Sequence, residues 1–261
     1  MNNHQLSNTW LSQLPLDNIT NCQSVSGGDI NLAYQITTNQ ATYFVKVQPH
    51  HPASYFNHEL AGLREIGKTA NVPTPVANGE IDEVARMHQQ RREEFGFMDN
   101  HQTKVLVKNN QWNPSWRDFY INQRLKPEIS AAIKQDCWNK WRQEHFDRMV
   151  AKFDNYYSTH EVRPSLLHGD LWAGNFMFSQ DHQPYLIDPD CVYGDREFDL
   201  AMTTVFGGFD DQFYRGYNDT YPITPGINER LPWYRFYYLC MHLILFGESY
   251  GPAVDNILSS Y

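Results

Sequence analysis

The amino-acid sequence predicts an α+β fold with two lobes, a small β-rich N-terminal lobe followed by a larger helical C-terminal lobe. Two observations lead to this prediction. Residues 19–48 contain three strand-like segments separated by turn residues. After residue 82, most of the chain carries apolar residues at helical spacing. We therefore expect lobes spanning residues 1–81 and 82–261, with a cleft between them.

The composition is that of an ordinary globular protein, with 41% hydrophobic and 20% charged residues. A net charge of -9 disfavours nucleic acid and anionic membranes as partners. The polar Met1–Leu14 segment has no signal-peptide core, and the apolar stretch Tyr237–Phe246 is too short to span a membrane. Four scattered cysteines without a Cys-x-x-Cys pair indicate free thiols in a reducing compartment. We expect a cytoplasmic protein.

The N-terminal region is predicted to contain two successive hairpins followed by a helix. Alternating apolar residues place strands at Ile19–Val25, Ile30–Thr37 and Thr42–Gln48. Apolar residues at helical spacing predict a helix over Ser54–Lys68. Lys46 lies on the third strand, on the opposite face from its valine neighbours.

The C-terminal region is predicted to be helical, with a short hairpin inside it. Helices are expected over Ser115–Leu125 and, without interruption, over Ile129–Tyr157. Two short apolar segments, Phe176–Phe178 and Pro184–Ile187, are expected to form the hairpin. The stretch Phe95–Gln111 gives no clear prediction.

The strongest chemical signal is the segment His168 to Asn175 followed by Ile187-Asp188-Pro189-Asp190. Phosphoryl transfer needs a carboxylate that orients a hydroxyl and takes its proton, plus oxygen ligands for Mg²⁺. Asp170 suits the first role, and Asn175 and Asp188 suit the second. A hairpin between them would return Asp188 beside the loop. The alternative is an ordinary turn at Asp170 and a strand-end cap at Asp188.

A second signal concerns the phosphates of ATP. A strand lysine such as Lys46 is aimed at phosphates when a glutamate on the following helix pairs with it. Glu59 is the expected partner, and Glu65 is the fallback. Gly27 and Gly28 separate two strands and allow the backbone to approach phosphates. The plainer alternatives are a solvated edge lysine and an ordinary hairpin turn.

Two further groups of polar residues have weaker signals. Asp199, at the start of a helix, is expected to hold the catalytic loop by hydrogen bonds or to interact with the helix dipole. His50, His51 and His58 lack thiol or carboxylate partners at zinc spacing, and we interpret them as surface histidines. The motifs His-Glu-x-x-His and Gly-x-Ser-x-Gly are absent from the sequence.

Taken together, these motifs resemble the fructosamine kinase (ketosamine 3-kinase) family, a branch of the protein-kinase-like fold related to aminoglycoside phosphotransferases and choline kinases. The resemblance covers most of the chain from about Ser24 onward. The matching segments are Gly27-Gly28-Asp29-Ile30-Asn31, Phe44-Val45-Lys46, Phe56-x-x-Glu59-x-x-Gly62-Leu63, Phe95-Gly96-Phe97, the Trp112 and Trp116 region, His168 to Asn175, Asp188-Pro189 and Tyr193 to Met202.

The resemblance implies an ATP- and Mg²⁺-dependent kinase with a catalytic base at Asp170. Its substrates would be sugars attached to amines as ketoamines, either free or on protein lysines, and phosphorylation would release the amine. Trp172 would pack against the sugar, with a core position as the alternative. His168 and Asp199 would support the catalytic loop.

One departure from the family concerns the connection between the lobes. Gly79-Glu80-Ile81 runs almost directly into the helix that starts near Asp82, whereas an additional strand and hinge need roughly ten residues or more. Two alternatives therefore stay open. One is a kinase of the same fold acting on aminoglycosides, choline or a related small alcohol, and the other is a non-catalytic binding protein.

Overall fold

A computed structural model describes residues 18–25, 32–47, 57–72, 83–178, 184–209 and 211–261. The chain divides into two units, Met1–Tyr55 and Phe56–Tyr261. The lobe boundary predicted after residue 81 stays a prediction, because residues 73–82 lie outside the described residues.

The first unit contains an antiparallel sheet of three strands in the order β1-β2-β3. The strands are β1 (Ile19–Ser24), β2 (Leu32–Thr38) and β3 (Thr42–Val47). They confirm the three predicted strands. On β2, Tyr34 and Ile36 share one face and are almost fully enclosed, and Ala33 on the other face is also buried.

The second unit begins with two helices and a small hairpin. Helix α1 spans Asn57–Ile66 and helix α2 spans Glu83–His88. Strands β4 (His101–Gln102) and β5 (Val107–Lys108) pair antiparallel. This hairpin occupies the stretch for which the sequence gave no clear prediction.

A series of helices follows, and it corrects the sequence prediction at one point. The uninterrupted helix expected over residues 129–157 is wrong. Asp136 adopts a left-handed backbone with φ of 56°, which ends one helix. Asn139 then caps the next helix by accepting a hydrogen bond of 2.9 Å from the backbone N–H of Arg142. The elements are α3 (Trp116–Asp118), a π-helical segment (Phe119–Leu125), α4 (Lys126–Lys134) and α5 (Lys140–Tyr157).

Four short strands surround the candidate site. Strands β6 (Ser165–Leu167) and β9 (Val192–Gly194) pair antiparallel, and the predicted hairpin of β7 (Phe176–Phe178) and β8 (Pro184–Leu186) lies between them in the chain. A 3₁₀ turn, Ala173–Asn175, leads into β7. This order brings both ends of the β7–β8 hairpin close to the end of β6.

The remaining helices supply a large part of the core, mainly from the longest of them. They are α6 (Glu197–Met202), α7 (Asp211–Thr220), α8 (Ile227–Phe246) and α9 (Gly251–Leu258), with a 3₁₀ turn (Gly247–Tyr250) before α9. Trp116, Tyr120, Phe198 and Tyr234 are buried together and contact one another through their rings. These four aromatic residues therefore belong to the core and not to a binding surface.

Two other sequence predictions can be compared with the fold. The four cysteines, all described, are free thiols, as predicted. In the described part of the chain, no helix combines the length and apolar character needed to cross a membrane.

Candidate active site

The loop that follows β6 is held by a buried carboxylate. Asp199, on α6, accepts hydrogen bonds from the backbone N–H of His168 at 2.6 Å and of Gly169 at 2.8 Å. His88 Nε2 lies 3.1 Å from the same carboxylate, and its Nδ1 lies 2.7 Å from the hydroxyl of Tyr217. Because Asp199 and His88 are fully buried, these bonds fix the loop against the core.

The His168 side chain joins the loop after β6 to the end of the β7–β8 hairpin. Its Nε2 donates to the carbonyl of Ile187 at 2.8 Å, and its Nδ1 accepts from the backbone N–H of Asp170 at 3.3 Å. This pair of bonds requires the neutral imidazole with its proton on Nε2. Burial lowers the pKa of His168 and favours the same neutral form.

Gly169 is required by a very close backbone contact. Its φ is +83°, a conformation that residues with a Cβ rarely adopt. A Cβ added there would lie 1.8 Å from the carbonyl oxygen of Asp190. The two segments are joined at the same place by a 2.8 Å bond from the Asp190 N–H to the carbonyl of His168. Any other residue at position 169 would separate the loop from the segment after Asp188.

Asp170 and Asn175 form the central polar contact of the site. The Asn175 side-chain amide donates to Asp170 Oδ2 at 2.9 Å and to the Asp170 backbone carbonyl at 2.8 Å. Burial raises the pKa of Asp170 to about 7, although the nearby Lys108 opposes this rise. Because the Asn175 nitrogen is turned toward Asp170, its side-chain oxygen is left for another partner.

The β7–β8 hairpin returns the chain to this contact at Asp188. Phe176 pairs with Leu186, and the Ile187 N–H donates to the carbonyl of Asn175 at 2.9 Å. Asp188 comes next and has a left-handed backbone with φ of 55°. Such conformations in residues other than glycine are uncommon and cluster at functional sites. The chain therefore supplies two oxygen-bearing side chains, from Asn175 and Asp188, next to the Asp170 loop.

Trp172 is partly buried beside the same loop. Its ring lies where a Cβ at position 174 would clash, at 2.3 to 2.7 Å, so Gly174 makes room for it. The Phe206 ring is 6.2 Å away in an edge-to-face arrangement. Trp172 therefore contacts the core and is still partly exposed. The two roles considered from the sequence, packing against a sugar and filling the core, both stay predictions.

The predicted phosphate-binding residues lie in different parts of the chain. Lys46 is on β3, opposite Ala33 of β2, and is half-buried. Glu59 is half-buried on α1. Gly27 and Gly28 lie outside the described residues. The pairing of Lys46 with Glu59 stays a prediction.

The fallback partner Glu65 has other contacts. It accepts a hydrogen bond of 3.0 Å from the hydroxyl of Tyr193 and one of 2.6 Å from Lys68. Burial would raise the pKa of Glu65, but Lys68 and Tyr193 hold it below its ordinary value. Glu65 therefore stabilises the packing of α1 against β9.

Sequence reasoning missed an ion pair behind the catalytic loop. The Lys108 ammonium contacts Asp190 Oδ2, and both side chains are largely buried. Burial would lower the pKa of Lys108, but the Asp190 carboxylate raises it above its ordinary range, and the pKa of Asp190 is held well below its own. Asp190 was visible as the second carboxylate of Asp188-Pro189-Asp190, whereas Lys108 lies in the stretch that gave no prediction.

The interpretation of His58 as a surface histidine is wrong. Its side chain is 4% exposed and lies 2.9 Å from Asp99 and 3.3 Å from Asp190. These carboxylates are distant in sequence, so local spacing could not reveal them. His50 and His51 lie outside the described residues.

Solved structures show which fold this chain has. Over 92% of this chain, it superposes with a TM-score of 0.80 and 23% identity on 93% of a protein from Thermobifida fusca assigned as a fructosamine-3-kinase. The aminoglycoside phosphotransferase APH(4)-Ia, in a complex with AMP-PNP and hygromycin B, gives a TM-score of 0.63 at 13% identity over 94% of this chain and 96% of its own. The fold is therefore α+β and protein-kinase-like, as predicted.

Sequence comparison identifies the family. The fructosamine kinase family model matches residues 3–84 and 81–261. A protein assigned as a ketoamine kinase from Lactiplantibacillus plantarum is 45% identical over 278 residues, covering 98% of this chain and 99% of the relative. One from Staphylococcus aureus is 36% identical and covers 96% of each chain. The chain belongs to the fructosamine kinase family.

The family match is split where the sequence departs from the family pattern. Its two segments meet at residues 81–84, next to the short connection at Gly79-Glu80-Ile81. The Lactiplantibacillus alignment extends over 278 residues, more than the 261 residues of this chain. Neither observation locates the additional residues of the relative, so the short connection stays a prediction.

Proposed function

We propose that this chain is an ATP- and Mg²⁺-dependent ketoamine kinase that phosphorylates a sugar hydroxyl of fructosamines or ribulosamines. The observation that carries the proposal is the contact of Asp170 with Asn175, with Asp188 returned beside them, in a member of the fructosamine kinase family. A relative named protein-ribulosamine 3-kinase from Arabidopsis thaliana is 29% identical over 93% of this chain and 83% of its own.

Asp170 acts as the catalytic base in this proposal. Its carboxylate is held by the Asn175 amide and has no need to change position to accept a proton. Lys108 lies close enough to oppose the rise in the Asp170 pKa that burial causes. The positive charge thus favours the ionised form that a base must have. His168 and Asp199 support the loop through the hydrogen bonds described above.

Asn175 and Asp188 would hold Mg²⁺. The donor set fits this ion, because a carboxylate and an amide oxygen are the hard ligands that Mg²⁺ takes from proteins. The Asn175 oxygen is available, since its nitrogen donates to Asp170. Bound Mg²⁺ would neutralise charge on the phosphates during transfer.

Lys46, paired with Glu59, would bind the phosphates of ATP, and Gly27 and Gly28 would offer backbone N–H groups to them. The complex of APH(4)-Ia with AMP-PNP supports nucleotide binding by this fold. These roles rest on the family motifs at those positions.

The ketoamine substrate would lie against Trp172, whose partly open ring suits the C–H face of a sugar. Phosphorylation of the sugar would make the adduct unstable and release the amine, so the activity would reverse glycation of small amines or of protein lysines. The predicted cytoplasmic location and the absence of nucleic-acid partners stay predictions.

The test is ATP consumption with Mg²⁺ on a defined panel of acceptors. Fructosyl-lysine and ribulosyl-lysine are the expected substrates, and choline and a set of aminoglycosides are the controls. Turnover on the ketoamines alone would support the proposal, and ³¹P NMR of the product would locate the phosphate on the sugar.

The other outcomes separate the alternatives. Turnover on choline or an aminoglycoside with none on ketoamines would replace the proposed substrate class. Absence of turnover on every acceptor, together with absence of ATP binding by calorimetry, would favour a non-catalytic kinase-like binding protein.

A further inference from the structure

A cluster of two imidazoles and two carboxylates lies behind the catalytic loop and has no part in the proposed reaction. His58 comes from α1, His101 from the β4–β5 hairpin, and Asp190 from the segment before β9. Asp99 adds the second carboxylate. One nitrogen from each histidine and one oxygen of Asp190 all lie within 4.8 Å of one another.

His58 is oriented as a metal-binding histidine is. Its Nδ1 lies 2.9 Å from Asp99 Oδ1, the carboxylate contact that fixes the ring and directs Nε2 at the ion in many metal sites. Nε2 points into the cluster, 3.3 Å from Asp190 Oδ1, and has no hydrogen-bond partner among the described residues. A buried nitrogen without a hydrogen bond is costly unless a ligand completes it.

The other two groups converge on the same point. His101 Nδ1 lies 2.7 Å from Asp190 Oδ1, and the two imidazole rings are stacked with centroids 4.5 Å apart. Asp190 Oδ2 is occupied by Lys108, which leaves Oδ1 for the cluster. Ligands about 2.0–2.1 Å from a tetrahedral ion lie roughly 3.4 Å apart, so the 3.3 Å separation of His58 and Asp190 already fits. The His101 nitrogen, now 2.7 Å from Asp190 Oδ1, needs to move away from it by about 0.7 Å.

The charges of the cluster also favour a cation. Two carboxylates lie against the ring nitrogens of His58, Asp99 at 2.9 Å and Asp190 at 3.3 Å, and such surroundings favour a positive charge between them. Two imidazole nitrogens and one carboxylate oxygen are ligands of zinc and its neighbours, whereas Mg²⁺ prefers oxygen.

We propose that His58, His101 and Asp190 form a binding site for a borderline divalent transition-metal ion, best fitted by Zn²⁺, distinct from the Mg²⁺ site at Asn175 and Asp188. Asp99 and Lys108 orient two of the three ligands. The fourth position belongs to water, which reaches the site past His101, since that side chain is 29% exposed.

The ion would connect three segments of the chain at the catalytic loop. Asp190 is bonded through its N–H to the carbonyl of His168, and its own carbonyl packs against Gly169. Binding would therefore hold α1 and the β4–β5 hairpin against the segment that positions Asp170. The bound ion has a structural role, and none of its three ligands takes part in phosphoryl transfer.

The experiment is a titration of the full-length, untagged protein, first stripped of metal with a chelator, with Co²⁺ as a visible probe and then with Zn²⁺ as competitor. We expect one Co²⁺ per chain with the intense d–d absorption of a tetrahedral site, displaced by one Zn²⁺. His101→Ala should abolish this spectrum. Asp99→Asn should weaken binding about 10–100-fold, the usual effect of losing a carboxylate behind a ligating histidine.

The matched control is His160→Ala, which removes an exposed histidine three residues after the end of α5 and should bind like the wild type. Circular dichroism melting shows that each variant is folded. If the wild type gives no tetrahedral Co²⁺ spectrum, or if His101→Ala and Asp99→Asn bind as tightly as His160→Ala, the site does not exist. None of these readouts depends on kinase activity, so the proposed function can fail independently.

Discussion

Two aspartates at the catalytic loop have opposite surroundings. Asp199 is fully buried and its carboxylate receives two backbone N–H bonds and a histidine contact. The Asp170 side chain is only partly buried and receives a hydrogen bond from Asn175. A carboxylate with three buried hydrogen-bond partners holds structure, whereas one with a single side-chain partner is more available for a proton. The contrast assigns the structural role to Asp199 and leaves Asp170 for chemistry.

We therefore predict that Asp170→Ala lowers the turnover number about 10²–10⁴-fold, the usual effect of removing a general base. The melting temperature should change little, because Asp170 is not part of the core. Steady-state ATP consumption with a ketoamine and a thermal melt measure the two quantities. Asp147→Ala, at an exposed position on α5, is the control. A variant that keeps more than about a tenth of the wild-type rate would exclude the role of base.

Among individual residues, the sequence predicted contacts between residues that are close together in the chain. Asp170 and Asn175 are five residues apart, and their contact follows from a tight loop. Lys108 and Asp190 are 82 residues apart, and His58 and Asp99 are 41 apart. Such pairs depend on how the segments pack, which periodicity and spacing do not encode. The ion pair and the histidine cluster were therefore found only from the structure.

Helices and strands were also predictable where local sequence determines them. The three N-terminal strands and the β7–β8 hairpin are set by alternating apolar residues and by turn residues. The break between α4 and α5 was missed because apolar spacing continues across it. The first helix ends at the left-handed backbone of Asp136, and Asn139 caps the next one.

Helix α4 also holds an unexpected residue, Glu128. It is fully buried and has no hydrogen-bond partner among the described residues for either carboxyl oxygen.

Glu128 leads to a prediction about stability. Burial raises the pKa of its carboxyl group well above the ordinary 4.5, and Lys108 and Arg124 only partly oppose this. Above pH 4.5 the unfolded chain loses this proton while the folded chain keeps it, so the group lowers stability as pH rises. Glu128→Met should raise the free energy of unfolding at neutral pH by about 1–3 kcal/mol.

Urea unfolding of the Glu128→Met variant across the range from pH 4.5 to neutral is the measurement. The gain should shrink toward the acidic end, where the wild-type carboxyl is protonated in both states. Glu144→Met, at an exposed position, serves as control and should stay within about 0.5 kcal/mol of the wild type. A loss of stability at neutral pH in the Glu128 variant would show that its carboxyl group has a partner that stabilises it.

On the scale of the whole molecule, contacts between α5 and the C-terminal elements stabilise the larger unit. Arg142, only 4% exposed, makes paired hydrogen bonds of 2.7 to 3.2 Å to Glu248 and Asp255, and it also donates to the carbonyl of Cys137 at 2.7 Å. These two carboxylates raise the pKa of Arg142 well above its ordinary range. The fold class and family were predictable from sequence, but this closure was not, because its partners are more than a hundred residues away.

Arg142→Met should lower the free energy of unfolding by about 2 kcal/mol. This is less than the roughly 3–5 kcal/mol for breaking a fully buried ion pair, because Glu248 and Asp255 can turn to water. Chemical denaturation with circular dichroism provides the measurement. Lys140→Met removes an exposed ion pair of the same helix and should change stability by less than about 1 kcal/mol. If the two substitutions change the free energy of unfolding equally, Arg142 does not stabilise the contact between α5 and the C-terminal elements.

The contact between Gly169 and the carbonyl of Asp190 has a consequence for comparing sequences. The close packing at this contact requires glycine whether or not the protein is catalytically active. A related protein that had lost catalysis would therefore still need the glycine. The neighbouring Asp170 is under no such demand. A glycine at this point of a chain therefore indicates common ancestry, and the residue after it is the more informative sign that catalysis has been kept.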